Sequence, residues 1–551
     1  MKELVVEEPI DQKTFTAAVE KFSAWHDQEA HPLGQNKYQD LIPPKSPGQG
    51  QQYAFEVDLD KCTGCKACVT ACHNENGLDE DETWRSVGLI QGGTSSNSAI
   101  QHVTTACHHC VEPACMKGCP TLAYTKDPTT GIVQHLEDQC FGCQYCILKC
   151  PYDVPKYNKK RGIVHKCDMC IGRLSVGQAP ACARACPNGA IRITLVDKKD
   201  VKNNPSEYVK LPDAPASDYA YPTTKYKTRR IFPSPMESVD YYTIKPEHSH
   251  LSLVFMLVLT QLSVGSFLAE FILKRMINPH YSHVSDLFHI PMALGFGLLA
   301  LASSIFHLGR PHLAFRAILG FKTSWLSREI VAFSLFTILA ILYALGYWLE
   351  PLERFLTTLF LGSNPLDVLA LSVIVSGMMG IFCSMMVYRD TKRPFWDNHL
   401  TTFKFFLTSA ILGSAMTLLS STLLGIFNRG VPLSYISQDI GMIFCKIICS
   451  ATGLKLLLEA SIFMYLGEGN LSFFKKTAVL LTRQLRTQTH WRFGCGILGG
   501  IILPLLFMLI NNDFNAITIT IFSVLILGVS LAGELLERYL FFRAVVPLKM
   551  P

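Results

Sequence analysis

Charge is the first thing this sequence is short of. Only 17% of its 551 residues are Asp, Glu, Lys or Arg, while 49% are hydrophobic, and the mean hydropathy is +0.23. That is the composition of a membrane protein, and the length is too great for one domain. The net charge of +6 is small for this length, and many basic residues sit in loops between apolar runs, so the balance does not point to nucleic acid. The N-terminus lacks a basic-then-apolar signal and a twin arginine, which speaks against export. Outside residues 62–186 the sequence has only four cysteines: Cys383, Cys445, Cys449 and Cys495. Each lies in an apolar run, where a thiol packs as a small hydrophobe.

The other sixteen cysteines fall into four quartets. They are Cys62, Cys65, Cys68, Cys72; Cys107, Cys110, Cys115, Cys119; Cys140, Cys143, Cys146, Cys150; and Cys167, Cys170, Cys182, Cys186. The first and third have the spacing C-x2-C-x2-C-x3-C, the bacterial run for four-iron, four-sulfur (4Fe-4S) clusters, whose fourth cysteine ligates the neighbouring cluster. Three close cysteines on one tight loop reach three corners of a cubane. The fourth follows on a short helical turn that faces the other way. Cys119, Cys150 and Cys186 are each followed by proline, as the run expects; Cys72 is followed by His73. The second and fourth quartets carry insertions and take their meaning from the repeat. A disulfide framework would need an oxidising compartment and a small secreted chain. Zinc knuckles use two well-separated C-x2-C pairs. Sixteen thiolates at four per cluster make four 4Fe-4S clusters, a path for electrons.

Composition divides the chain. Residues 1–52 read as an N-terminal arm with one short amphipathic helix around Phe15 to Trp25. Residues 53–196 read as an α+β, ferredoxin-like tandem 4Fe-4S domain, with β-prone segments at 53–57 and 190–194. Residues 197–248 lack apolar periodicity and read as a linker. Residues 249–551 read as an all-α bundle of eight transmembrane helices, at 251–273, 290–309, 330–349, 366–388, 405–427, 441–466, 493–510 and 516–541. An even number puts both ends on one side. Lys and Arg crowd the loops on that side, which the positive-inside rule assigns to the cytoplasm. The expectation is a multi-pass protein of the inner, cytoplasmic membrane with its cluster domain in the cytoplasm.

Ionisable residues in apolar runs ask for a function. His307 ends the second span on the cluster side, beside Arg310 and opposite Glu534 and Glu537 at the end of the eighth. A neutral imidazole there suits a quinone oxygen and its proton; an interfacial histidine bonded to a backbone carbonyl is the plain alternative. Glu329 opens the third span, where a carboxylate suits a helix N-terminus. Lys455 and Glu459, at i and i+4, suggest a structural ion pair. Haem b needs histidines paired across helices within the membrane. Apart from His307, this half has His250, His280, His283, His289, His312, His399 and His490, all expected at edges or in loops, so no haem is expected.

Residues 53–196 resemble the four-cluster electron-transfer subunit of the dimethyl sulfoxide reductase group of molybdoenzymes. The motifs are C-T-G-C-K-A-C, C-x2-C-x4-C-x3-C-P, C-F-G-C-Q-Y-C-x3-C-P-Y-D-V-P and H-K-C-D-M-C. Residues 250–545 resemble that group's eight-helix anchor subunit through S-x-x-x-H-L-G-x-P-x-x-A-F (303–315), L-S-x-E-I (326–330) and G-E-L-x-x-R (533–538). Two subunits that are normally separate are fused. The resemblance implies a third, catalytic subunit with a molybdenum bis-pterin cofactor, which nothing in this chain could hold. It implies cross-ligation: Cys62, Cys65, Cys68 with Cys186; Cys167, Cys170, Cys182 with Cys72; Cys107, Cys110, Cys115 with Cys150; Cys140, Cys143, Cys146 with Cys119. A related nitrate reductase subunit has tryptophan at one ligand of the third quartet and a three-iron cluster; Cys143 stands there here, so four cubanes are expected. The quinol-site histidine of the group maps onto His307. The best-known members face the periplasm, whereas the charge bias here argues for the cytoplasm.

Together these features read as a non-molybdenum subunit for anaerobic respiration that carries the quinol half-reaction. Menaquinol or ubiquinol from the membrane quinone pool would be oxidised near His307, with Arg310 and Glu534 as candidate site residues. The electrons would pass through four 4Fe-4S clusters to a molybdopterin catalytic subunit that reduces a sulfoxide, nitrate or another oxyanion. Three alternatives stay open: the same chain running in reverse, a ferredoxin-fed quinone reductase without molybdenum, and a non-catalytic metal-storage or structural membrane protein.

Overall fold

The computed structural model describes residues 40–94, 97–276, 279–349, 365–427, 436–510 and 515–551. The helix expected near Phe15 to Trp25 and the side chains of His280 and His283 lie outside the described residues. The polypeptide forms a cysteine-rich part seated on one end of a helical bundle.

The two β-prone segments pair with each other. β1 (Gln51–Asp58) runs antiparallel to β8 (Ile191–Asp197), with Tyr53 opposite Leu195 and Val57 opposite Ile191. Phe55, Val57, Ile191 and Ile193 turn inward and close the core. β2 (Ser86–Thr94) and β3 (Asn97–Thr105) make a long hairpin; β4 (Tyr124–Lys126) with β5 (Val133–His135), and β6 (Lys156–Asn158) with β7 (Ile163–His165), make two short ones. Residues 197–248 are more than the expected linker. The Asp197 carboxylate caps a helix, Lys198–Asn203, by accepting from the Lys199 and Asp200 amides. β9 (Lys225–Lys227) then pairs parallel to β1, and β10 (Met236–Ser238) pairs antiparallel to β2. Val201, Tyr208, Val209, Ala220 and Met236 are buried at irregular spacing, which is why no apolar period marks the stretch, and polar contacts add to them: Thr223 donates to the His108 carbonyl at 2.7 Å, and Thr224 lies 2.8 Å from the His108 ring.

Eight helices are long and apolar enough to cross a membrane among the described residues. They are α1 (Leu251–Met276), α2 (Pro279–Ile305), α3 (Trp325–Trp348), α4 (Pro365–Arg389), α5 (His399–Phe427), α6 (Gln438–Gly467), α7 (Arg486–Leu509) and α8 (Ala516–Arg543). α2 ends four residues before its expected limit. α5 and α7 start earlier than expected, because their first turns are polar and hydropathy does not register them. α1 and α5 form the centre and touch backbone to backbone. A Cβ on Gly265 would lie 2.0 Å from the Ser409 carbonyl, the close approach small residues allow between membrane helices.

Three expectations about the bundle change. His289 is not at an edge: it is wholly buried, with Nδ1 2.9 Å from the Ser420 hydroxyl and Nε2 3.1 Å from the Ser266 carbonyl. Glu329 does not serve the α3 N-terminus; Ser324 caps it, and buried Glu329 accepts from Ser384 of α4. Lys455 and Glu459 do not pair with each other. Lys455 binds Glu534 and Glu537 of α8, and Glu459 binds Arg492 of α7. In a bundle, cross-helix partners are nearer than partners on one exposed face.

Candidate electron-transfer site

The first and third quartets start with the same turn. Gly64 and Lys66 have φ of 73° and 62°, and Gly142 and Gln144 have 75° and 60°. This left-handed backbone bends the first two cysteines of each toward a common centre. A short helix follows each loop. Ala67–Asn76 carries Cys68 and Cys72, and Tyr145–Lys149 carries Cys146 and ends at Cys150. Ala114–Gly118 and Ala181–Arg184 do the same for Cys115 with Cys119 and Cys182 with Cys186. Four residues of helix rise about 6 Å, so each helix joins two neighbouring sets of thiols.

The fold gathers the sixteen cysteines into four mixed sets. Cys62, Cys65, Cys68 and Cys186 line one cavity of about 320 Å³. Cys107, Cys110, Cys115 and Cys150 line a second of about 380 Å³. Cys119, Cys140, Cys143 and Cys146 line a third of about 270 Å³. Cys72, Cys167, Cys170 and Cys182 are close enough for their charges to interact. Among the described residues no group converges tightly enough for a single metal ion. The thiols surround a volume, as a cubane requires. Backbone amides point at the sulfurs: His109 N–H to Cys107 at 3.5 Å, Met169 N–H to Cys167 at 3.4 Å, and Ala123 and Ala190 N–H to Cys119 and Cys186 at 3.2 Å each. Burial, then the neighbouring thiols, push Cys72 up to about 12 and Cys170 up to about 11. So many thiols ionise together only around a cationic metal group. The donor set therefore fits 4Fe-4S clusters.

The set containing Cys143 faces the bundle. The turn after α2 is threaded into it: the Arg310 amide donates to the Phe141 carbonyl at 3.0 Å, and the Gly320 amide to the Pro120 carbonyl at 2.7 Å. A Cβ on Gly309 would sit 2.1 Å from the Gly162 carbonyl, so only glycine passes there. Ser324 donates to the Gly118 carbonyl at 2.7 Å, and Tyr145 to the Val387 carbonyl at 3.0 Å. Lys149, buried, pairs with Asp390 at 2.7 Å. At the far end of the cysteine-rich part, Cys65 is exposed.

His307 lies in the turn after α2, beside the backbone of Cys143. Burial is the largest influence on it and holds the imidazole down to about 4, so it is neutral at pH 7. The sequence missed its companions. The His250 ring packs edge-on against it at 5.1 Å, and His248 and Phe542 stand 4.8 and 5.7 Å from His250. The pair of histidines just before the first apolar run was the available signal. Arg310 is used in docking: its guanidinium donates to the carbonyls of Arg161 at 3.2 Å and Glu137 at 2.9 Å. Glu534 lies in a separate buried ionic cluster with Lys455, Arg492 and Thr408.

Residues 246–543 match the family described as DMSO reductase anchor subunit (DmsC). Residues 98–196 match a 4Fe-4S dicluster domain, and residues 53–74 a 4Fe-4S binding domain. The B subunit of the anaerobic dimethyl sulfoxide reductase of Haemophilus influenzae is 37% identical over 161 residues, 28% of this chain and 78% of that protein. The iron-sulfur subunit of the nitrate-inducible formate dehydrogenase of Escherichia coli is 36% identical over 166 residues, 26% of this chain and 56% of its own. The hydrogenase-2 operon protein HybA of Escherichia coli O157:H7 is 34% identical over 197 residues, 31% of this chain and 59% of its own. With its anchor half matched across all eight helices and its cysteine-rich half matched by 4Fe-4S domains, this protein belongs to the DMSO reductase anchor subunit family and is a multi-pass membrane protein that transfers electrons through 4Fe-4S clusters.

Proposed function

We propose that this chain oxidises a membrane quinol, menaquinol or ubiquinol, beside His307 and delivers the electrons to a molybdopterin-containing catalytic subunit. The observation that carries the reading is the place of His307 in the turn threaded into the loop at residues 140–146, where the Arg310 amide donates to the Phe141 carbonyl at 3.0 Å. It puts the candidate quinol residue against the cysteine loop that faces the membrane. When bound, the four clusters supply one-electron acceptor sites from the bundle to the exposed end at Cys65.

The chain's own residues do the rest. A neutral imidazole has one N–H donor and keeps its other nitrogen as an acceptor. That nitrogen takes the hydrogen bond of a quinol hydroxyl and then its proton. His250 packs edge-on against the ring, and Phe542 backs His250 in turn. Arg310, Arg316 and Lys149 hold the cysteine-rich part in register with the bundle through carbonyls and Asp390. The exposed face around Cys65 receives the catalytic subunit, whose substrate is a sulfoxide, nitrate or another oxyanion. The relatives named for dimethyl sulfoxide reductase and formate dehydrogenase support a partner of this kind.

Replacing His307 with Ala tests the site. Turnover driven by quinol is expected to fall by about 10²–10⁴-fold, the usual contribution of a general base. Turnover driven by an artificial reductant that feeds the clusters directly is expected to persist. Equal loss in both assays would make His307 structural, and no loss in either would move the site elsewhere.

A further inference from the structure

Arg85 is among the largest side chains fully enclosed by the protein, at 2% exposure. No ion pair among the described residues includes it, and its Nε and Nη2 have no protein partner. Burying an arginine this way is costly unless negative charge compensates it. Its guanidinium stands 4.6 Å from the centre of the Phe55 ring, and Nη1 donates to the Thr104 hydroxyl at 3.2 Å. The Cys68 sulfur lies 3.5 Å from the same hydroxyl, and as a thiolate, having no proton of its own, it accepts from Thr104. The charges within reach are sulfurs from two sets: Cys68 of one, and Cys72, Cys167 and Cys182 of the next. Burial favours the neutral form of Arg85, but the thiolates of Cys182, Cys68, Cys167 and Cys72 outweigh it and hold the proton on.

We infer that Arg85 raises the reduction potentials of the two clusters farthest from the membrane, those held by Cys62, Cys65, Cys68 and Cys186 and by Cys72, Cys167, Cys170 and Cys182. The inference rests on reading these sets as cluster sites. A cluster that takes up an electron gains one negative charge, and a fixed cation in a low-dielectric interior favours that state. Each transfer oxidises the donor cluster by one electron and reduces the acceptor by one. No bond forms or breaks, and Arg85 keeps its protons throughout. For the outermost cluster the Thr104 O–H···S bond adds to the effect, since hydrogen bonds to the sulfurs also raise the potential. Of the other buried cations on this path, Lys149 is paired with Asp390, and Lys166 reaches Cys107, Cys115 and Cys167, so it touches both halves of the path and does not distinguish them. Arg85 bears most on the outer half and draws electrons away from the bundle toward the exposed end.

The test is an EPR-monitored redox titration of the full chain, purified anaerobically, with signals assigned by Cys65→Ser and Cys170→Ser. Arg85→Gln is expected to shift the oxidised-to-reduced ratio of both outer clusters at least tenfold toward oxidised, which is ~59 mV lower for a one-electron couple. The two inner clusters move less. Arg85→Lys, which keeps the charge, restores most of the shift, and Thr104→Val lowers the outermost cluster alone. Unmoved midpoints in Arg85→Gln with intact signals would overturn the inference. So would an Arg85→Lys shift as large as that of Arg85→Gln, or a Thr104→Val shift shared by both clusters. Absence of these signals from the unmodified chain would overturn the cluster reading, and this inference with it.

Discussion

A row of rings, His248, His250 and His307, ends against the Cys143 loop. Burial, and then the neighbouring imidazoles, hold His250 down to about 3, and burial holds His307 down to about 4. In the unfolded state both would take a proton near pH 6.5. Between those values the unfolded state binds more protons than the folded one, so stability is present above pH 6.5 and falls as the pH drops toward 4. The thermal midpoint in detergent is therefore expected to fall from pH 7 to pH 5, and the fall should shrink in a His250→Phe, His307→Gln variant. An equal fall in that variant would show that these rings do not carry the effect. At this scale the sequence was partly legible. His307 stood out because an imidazole at a span end is costly without a role. His250 and His289 did not, since ring contacts and burial depend on how helices from distant parts of the sequence meet. The cysteine quartets stood out because the spacing of the first and third is set by one local loop.

At the scale of elements, the spans were readable from hydropathy, while their ends and cross-links were not. Lys455 of α6, Arg492 of α7, and Glu534, Glu537 and Arg538 of α8 are all nearly or fully enclosed. Lys455 binds both glutamates, and Arg492 binds Glu459 and Glu534. A helix-period reading pairs charges along one helix; the bundle pairs them across three. Removing one member of a buried pair leaves an uncompensated charge, at a cost of about 3–5 kcal/mol. Lys455→Met is expected to lower the unfolding midpoint in detergent by several degrees, whereas Lys549→Met, in a pair with Asp240 that is about half exposed, changes little. Equal midpoints for the two variants would mean that the network contributes no more than a surface pair. The stretch 197–248 shows the same limit: its strands are held by pairing with β1 and β2 and by buried residues at irregular spacing, so no local pattern announces them.

For the whole molecule, the fusion is locked at several points. The turn after α2, the α4–α5 connection and the C-terminal segment all contact the cysteine-rich part. A Cβ on Gly88 would lie 2.1 Å from the Pro551 carbonyl oxygen, and Met550 is buried in the cluster-side core. Electron tunnelling needs this fixed register. The clustering of Lys and Arg on the docked side of the bundle predicts a cytoplasmic cysteine-rich part. Protease added to right-side-out vesicles should leave it intact; cleavage from outside would show that a partner overrides the charge rule.

The central claim is that quinol hands its electrons to clusters held by this chain. Anaerobic titration of the purified protein with a soluble menaquinol analogue, followed by low-temperature EPR, tests it directly. About sixteen irons per chain are expected, with reduced-cluster signals appearing on addition of quinol. In His307→Ala those signals are expected to appear about 10²–10⁴-fold more slowly, while dithionite reduces that variant as fast as the unmodified protein. Clusters that stay oxidised under excess quinol in the unmodified protein, while dithionite reduces them, would contradict it.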